Sequence, residues 1–182
     1  IGEVMALLQE DVKRMLAYST LAQIGEIGLV LSLGTFAAAT GALAHVVNHA
    51  VMKDLLFLAA GGLILRAGGQ RLADLQGLGR AMPFTGTCMA VGLVAIMGLP
   101  PMGGFFSKFL MLRAALDAGQ PWMAALLLLG GLVGCMYYGR VIKVLFFSPY
   151  HGEPVAEAPL SMRLSVGLLA ALALVSGLFP AQ

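Results

Sequence analysis

Long apolar runs, separated by short polar stretches, extend through the whole sequence. A helix that crosses a bilayer needs about 20 mostly apolar residues, and the pattern predicts about six such segments, the first of them partial. We expect these segments at residues 1–9, 15–34, about 38–65, 83–117, 121–147 and about 159–179. Between them, EDVKR at 10–14 forms a charged corner, and 66–80 form a polar loop without a helical stripe. The predicted fold is an all-α, polytopic membrane protein.

The fourth segment is interrupted by GLPPMGG at residues 98–104. Adjacent prolines and nearby glycines break a helix, because proline removes a backbone donor. If residues 83–117 formed two spans, the second would have only about 14 residues, or some 21 Å, which is too short. If residues 83–117 instead form one discontinuous span, most basic residues lie at one face of the membrane. The positive-inside rule predicts that this face is cytoplasmic. Those residues are Lys13, Arg14, Arg66, Arg71, Arg80, Arg140, Lys143 and Arg163.

Composition agrees with a lipid-immersed bundle. Hydrophobic residues make up 59% of the 182 residues and charged residues 11%, against roughly 25% charged in soluble domains. The net charge of +2, without a basic run interleaved with aromatics, argues against nucleic-acid binding. Cys88 and Cys135 stand singly in apolar segments, which favours buried thiols over a disulfide. The sequence opens within a helical pattern, without Met or a cleavable signal peptide, and we expect it to be a fragment.

A stripe of titratable residues lies inside the third apolar segment. His45, His49 and Lys53 follow one another at four-residue spacing, which places them on one face of a helix. Ionisable residues inside a bilayer cost roughly 2.5 to 3.5 kcal/mol for a central Lys or Asp, and they commonly mark function. Glu26, in the middle of the second segment, and Lys108, four residues after the break, are further candidates.

Each candidate also has a structural interpretation. A single histidine is more often a packed core residue than a functional one, and Glu26 could form a structural hydrogen bond to a neighbouring helix. Lys108 could extend to the nearest interface, and Lys13 could pair with Asp11 or with lipid headgroups. Glu3 is ambiguous, because the helix around it is truncated. The alignment of three titratable side chains on one face of an apolar helix nevertheless favours a functional role over a structural one.

A proton relay fits these side chains better than other site chemistries. Histidine exchanges protons near neutral pH, a low dielectric makes a lysine amine easier to deprotonate, and a helix break helps to hold water. Two histidines four residues apart resemble half of a metal site, but no acidic or sulfur ligand completes it. No nucleophile set, phosphate loop or dinucleotide fingerprint is present.

Three motifs resemble the antiporter-like membrane subunits of respiratory complex I, Mrp-type cation/proton antiporters and membrane-bound hydrogenases. They are, in family order, QEDVKRMLAYSTLAQIG, HVVNHAVMKDLLFLAAG and GLPPMGGFFSKF, which together span residues 9–109. The resemblance implies a fourteen-helix core with two inverted five-helix repeats. Residues 1–182 would then form a single bundle within the second repeat.

The resemblance also implies roles for particular residues. Lys108 would be the broken-helix lysine that passes protons to the exit side. His45, His49 and Lys53 would belong to the central hydrophilic axis, and Lys13 would link two half-channels. The lysine of the first repeat and its glutamate partner would precede Ile1, so this chain could not pump by itself.

Two residues depart from the family pattern. Glu26 stands where the family often has tyrosine or another uncharged residue, and Asp54 replaces a usual small residue. Asp54 also points about 100° away from Lys53 around the helix. We expect an extra carboxylate to pair with Lys53 or Lys108, or to tune coupling to another cation.

The predicted function is translocation of protons or Na⁺ by a subunit of a redox-driven complex of the NADH:quinone oxidoreductase or hydrogenase type. The predicted relay consists of Lys13, Glu26, His45, His49, Lys53 and Lys108. We expect no cofactor and no metal in this chain, redox cofactors on partner membrane subunits, and a location in the bacterial or archaeal inner membrane. Two alternatives stay open: a subunit of a secondary cation/proton antiporter, and a structural membrane scaffold whose polar residues only join helices.

Overall fold

The computed structural model describes residues 1–152 and 154–178, and over these it is a bundle of α-helices without a named strand. The helices are α1 (Gly2–Leu7), α2 (Val12–Leu31), α3 (Phe36–Ala67), α4 (Leu78–Ala81), α5 (Pro83–Met97), α6 (Gly103–Asp117), α7 (Pro121–Ile142) and α8 (Leu160–Leu178). A 3₁₀ turn precedes α4 at Leu72–Leu75, and a π-helical turn extends α7 over Lys143–Phe147. The predicted all-α class is confirmed.

The helix ends define two faces of the bundle. At the first face, the α1–α2 corner pairs with the loop after α3, through Val12 N to Gln70 O at 3.0 Å. The end of α7 joins the start of α4 there, through Gly77 N to Val144 O at 3.0 Å. At the second face, Leu33 after α2 packs against Ala115 of α6 and Met123 of α7. The chain therefore passes back and forth between the same two faces.

The predicted break lies between α5 and α6. Helix α5 ends at Met97 and α6 begins at Gly103. Since α5 starts at the first face and α6 ends at the second, the two short helices together make one crossing, as the discontinuous-span prediction requires. A Cβ at Gly104 would overlap the carbonyl oxygen of Ala95, so the two half-helices approach as closely as glycine allows.

Length and apolar composition alone identify Pro121–Phe147 and Leu160–Leu178 as able to cross a membrane. A third candidate is the pair Leu72–Ala81 and Pro83–Met97, which is bent by 115°. Helices α2 and α3 are 20 and 32 residues long, or about 30 and 48 Å at 1.5 Å per residue. They carry Glu26 and the stripe of His45, His49 and Lys53, and this polar content distinguishes them from the more apolar α7 and α8.

Two details of the predicted organisation are wrong. The charged corner at 10–14 is shorter than expected, because Asp11 caps α2 by accepting a hydrogen bond from Arg14 N at 3.0 Å. The predicted loop at 66–80 contains the 3₁₀ turn and α4, since Leu72, Leu75 and Leu78 are buried and anchor it. The predicted end of the last segment at Phe179 lies outside the described residues.

Helix α3 is the central element. It packs against α2, α5, α6 and α8, which together cover its buried face. Its buried apolar side chains, such as Leu55, Leu56 and Leu63, join the largest hydrophobic cluster. This position places the titratable stripe of α3 inside the bundle rather than towards lipid.

Candidate functional site

His45 links three helices in the interior. Its side chain is fully buried, Nδ1 lies 2.9 Å from Ser107 Oγ on α6, and Nε2 lies 3.0 Å from Gln23 Oε1 on α2. Both ring nitrogens therefore have a polar neighbour that can rotate or present either a donor or an acceptor. Such an imidazole can accept a proton on one side and release it on the other.

His49 lies one turn further along α3. The centroid of its ring is 6.0 Å from that of His45, and the residue is only 8% exposed. Its Nε2 is buried without a hydrogen-bond partner among the described residues. A buried polar atom of this kind needs a partner, and internal water commonly supplies it.

Lys53 completes the stripe and turns towards α2. The residue is 6% exposed, and Nζ donates hydrogen bonds to Leu16 O at 2.9 Å and to Ser19 Oγ at 2.5 Å. The same amine lies 6.0 Å from the centroid of the Tyr138 ring on α7. The predicted ladder of His45, His49 and Lys53 is thus buried and connected to α2, α6 and α7 by polar groups.

Lys108 forms an ion pair with Glu26 of α2. Its Nζ lies 3.9 Å from Glu26 Oε2, and the side chains are 18% and 11% exposed. The Lys108 ammonium also interacts electrostatically with His45 and His49, so this ion pair lies near the histidine stripe. A cavity of about 330 Å³ opens over the pair and is otherwise lined mainly by apolar side chains of α6 and α7.

The helix break is held next to this pair. Asn48 Nδ2, on α3 between His45 and His49, donates to Gly103 O at 3.0 Å. The Ser107 hydroxyl also lies 3.3 Å from the carbonyl oxygens of Gly103 and Gly104. The first turn of α6 is therefore tied to the polar stripe of α3.

Lys13 and Asp54 are not brought to this site. Lys13 lies in the first turn of α2 and is exposed, one turn before Leu16, whose carbonyl oxygen accepts from Lys53. Asp54 is exposed as well, on a different face of α3 from Lys53. The role expected for Lys13 stays a prediction, whereas Glu26, His45, His49, Lys53 and Lys108 share one interior region.

Several polar residues of this region were not among the predicted candidates. Ser19, Gln23 and Ser107 contact the stripe directly, and Tyr137 and Tyr138 of α7 are buried beside it. A signal for those on α2 was present, since Ser19, Gln23 and Glu26 recur at helical spacing. We name the polar residues that share this interior region the polar seam: Ser19, Gln23, Glu26, His45, His49, Lys53, Ser107 and Lys108.

This fold and seam define an integral membrane bundle with a charged interior and a broken helix. Residues 1–134 match the family described as NADH:quinone oxidoreductase/Mrp antiporter, TM. The chain belongs to this family.

Three similar proteins illustrate the range of the family. NADH-quinone oxidoreductase subunit N of Desulforudis audaxviator is 37% identical, over 100% of this chain and 39% of that protein. A probable K⁺/H⁺ antiporter protein of Rhizobium meliloti is 36% identical, over 100% of this chain and 19% of that protein. A component of the membrane-bound sulfane sulfur reductase, an archaeal respiratory membrane complex, superposes with a TM-score of 0.91 at 37% identity, over 99% of this chain and 37% of that one. The chain thus spans about two-fifths of the length of the NADH-quinone oxidoreductase relative.

Proposed function

We propose that this chain is part of a subunit that translocates protons or Na⁺ across the membrane within a redox-driven complex. The observation that carries the proposal is the polar seam, in which two lysines, two histidines and a glutamate lie in one interior region of a membrane bundle. Buried ionisable groups are expensive in a bilayer, and a role in ion transfer accounts for all of them together. The NADH-quinone oxidoreductase relative and the respiratory complex that superposes on this chain support the redox setting.

The proposed transfer is a series of short proton hops. Lys53 exchanges a proton with the histidines, and His45 passes it through its two ring nitrogens towards Ser107 and the Lys108–Glu26 pair. Arrival of a proton on one group favours its departure from the charged group beside it, because two ammonium groups close together repel each other. Water that satisfies His49 Nε2 and the free oxygen of Glu26 would close the gaps between protein groups.

The chain's own residues supply proton transfer and no redox chemistry in this proposal. Redox cofactors would be held by partner membrane subunits, and the assembled complex would lie in a bacterial or archaeal inner membrane. The remaining part of the full-length protein would provide the other half of the ion path, because this chain spans only part of its relatives.

The test is replacement of Lys108 in the full-length protein within its assembled complex. We expect Lys108→Ala to abolish proton translocation in membrane vesicles, while the complex assembles normally. Arg113→Ala is the matched control, since Arg113 is a cation of the same helix but is exposed and paired with Asp117 at 3.4 Å. Normal translocation by an assembled Lys108→Ala complex would refute the proposal.

A second candidate is a secondary cation/proton antiporter without an electron-transfer partner. The K⁺/H⁺ antiporter relative, 36% identical over the whole chain, favours it. The composition of the purified native complex separates the two candidates. Co-purifying iron–sulfur or nickel–iron subunits support the redox-driven complex, and their absence from an active, purified complex supports the antiporter.

A further inference from the structure

Two carboxylates from different helices converge beside Lys108. Glu26 of α2 directs Oε2 to Lys108 and Oε1 towards Gly130 of α7. A Cβ built on Gly130 would overlap Glu26 Oε1 and would lie 3.9 Å from Glu3 Oε1. Helix α1 packs against both α2 and α7, so the two acids occupy the same space between helices.

The groups around Glu3 are buried without direct partners. Both of its carboxylate oxygens are inaccessible to solvent and have no hydrogen-bond partner among the described residues, and the same is true of Glu26 Oε1. The Tyr137 hydroxyl, on a fully buried side chain near Glu3, is also without a hydrogen-bond partner among the described residues. Burial of an ionised carboxylate without a hydrogen-bond partner costs free energy, unless the group binds a proton or contacts water.

Glu3 is electrostatically coupled to both buried lysines. Lys108 and Lys53 both lie within electrostatic range of its carboxylate. The Tyr138 ring lies between these groups, since its centroid is 6.0 Å from Lys53 Nζ and 4.3 Å from that of the Tyr137 ring. Glu3 thus lies beside α7, within electrostatic range of both lysines.

We propose that Glu3 is a further proton-carrying residue, which forms with Glu26 a carboxyl pair that shares one proton beside Lys108. The proposal rests on the proposed function. In the transfer, the Lys108 ammonium gives a proton to the Glu26 carboxylate, which leaves a neutral amine and a carboxylic acid. That proton then passes to the Glu3 carboxylate, and Glu26 is ionised again. Only N–H and O–H bonds change.

The test is Glu3→Gln in the full-length, assembled protein, because glutamine keeps the size of the side chain but cannot carry the proton. We expect translocation in membrane vesicles to fall about tenfold or more, as for the loss of a proton-transferring group. Glu3→Asp restores part of the rate and changes its pH profile. An assembled Glu3→Gln complex with the parent rate and pH profile would overturn the proposal.

Lys108→Ala in the same experiment distinguishes failure of the role of Glu3 from failure of the proposed function. If Lys108→Ala abolishes translocation and Glu3→Gln leaves it unchanged, only the role of Glu3 fails. If Lys108→Ala translocates normally, the proposed function itself fails.

Neighbouring glycines provide a second test that does not alter Glu3. Gly130→Ala would push the Glu26 oxygen away from Glu3, whereas a Cβ at Gly131 meets nothing within 4 Å. We expect Gly130→Ala to slow translocation severalfold and Gly131→Ala to keep the parent rate. Should Glu3→Gln fail to assemble, equal rates for these two variants would contradict the carboxyl pair.

Discussion

Glu26 Oε2 on α2 lies 3.9 Å from Lys108 Nζ on α6, and both side chains are largely buried. This ion pair ties the half-helix that follows the break to the helix that also holds Ser19 and Gln23. It places a carboxylate at the end of the seam nearest the break. The pair is therefore both a structural link and the point where a proton could leave the histidine stripe.

Glu26→Gln should destabilise the protein measurably. The substitution leaves a largely buried ammonium without its counter-charge, and we expect a loss of about 2 kcal/mol in the free energy of unfolding. Asp117→Asn is the control, because it breaks an exposed pair with Arg113 on α6 and should cost no more than about 0.5 kcal/mol. Denaturant titrations of the full-length protein in detergent measure both, and equal losses would contradict the account.

Replacing both stripe histidines by glutamine should slow ion transport. We expect the double variant His45→Gln/His49→Gln to lose about tenfold or more in rate, because an amide cannot take up and release a proton as imidazole does. His151→Gln, in an exposed loop, is the control and should transport normally. A scaffold function predicts the opposite outcome, in which transport is unchanged and only stability falls.

Ser107→Ala should affect both stability and transport. It removes the neighbour of His45 Nδ1 and leaves a fully buried ring nitrogen unpartnered, which costs about 1–3 kcal/mol. Ser165→Ala removes a comparable hydroxyl from an exposed position, where it donates to Ser161 O, and should change stability little. Thermal unfolding and vesicle transport assays compare the two variants, and identical behaviour would argue against a role for Ser107.

Gly104→Ala should disrupt the break. Its added methyl group would overlap the carbonyl oxygen of Ala95, a backbone atom that cannot rotate away. We expect a loss of about 3 kcal/mol, at the upper end for overpacking, together with reduced assembly. Gly28→Ala, where a Cβ would meet nothing within 4 Å, should assemble normally. Assembly is measured by the yield of intact complex, and equal yields for the two variants would contradict this prediction.

The sequence predicted the features that depend on local spacing. Prolines and glycines at 98–104 marked the break, and four-residue spacing marked the face shared by His45, His49 and Lys53. The starts of α5 and α7 followed from proline at the first helical position. These signals lie within a few residues of one another, so they do not require knowledge of the tertiary packing.

The remaining site residues could not be predicted because their neighbours are distant in sequence. Glu3 and Tyr137 come together only when α1 packs on α7, and His45 meets Gln23 and Ser107 only in the folded bundle. Single polar residues in apolar helices, such as Tyr137, carry no spacing signal. The charged corner at 10–14 did indicate that Lys13 is exposed, whereas its expected place in the relay came only from the family resemblance.

The central claim is that Lys53 and Lys108 belong to one ion path, and the ratio of protons moved per electron transferred tests it most directly. The measurement uses the full-length, assembled complex carrying Lys53→Met, Lys108→Met or both, in sealed membrane vesicles. We expect each single variant to lower the ratio, and the double variant to lower it no further than the more severe single one, because a path blocked at one residue is not blocked again at another. A parental ratio in either assembled single variant would contradict the account.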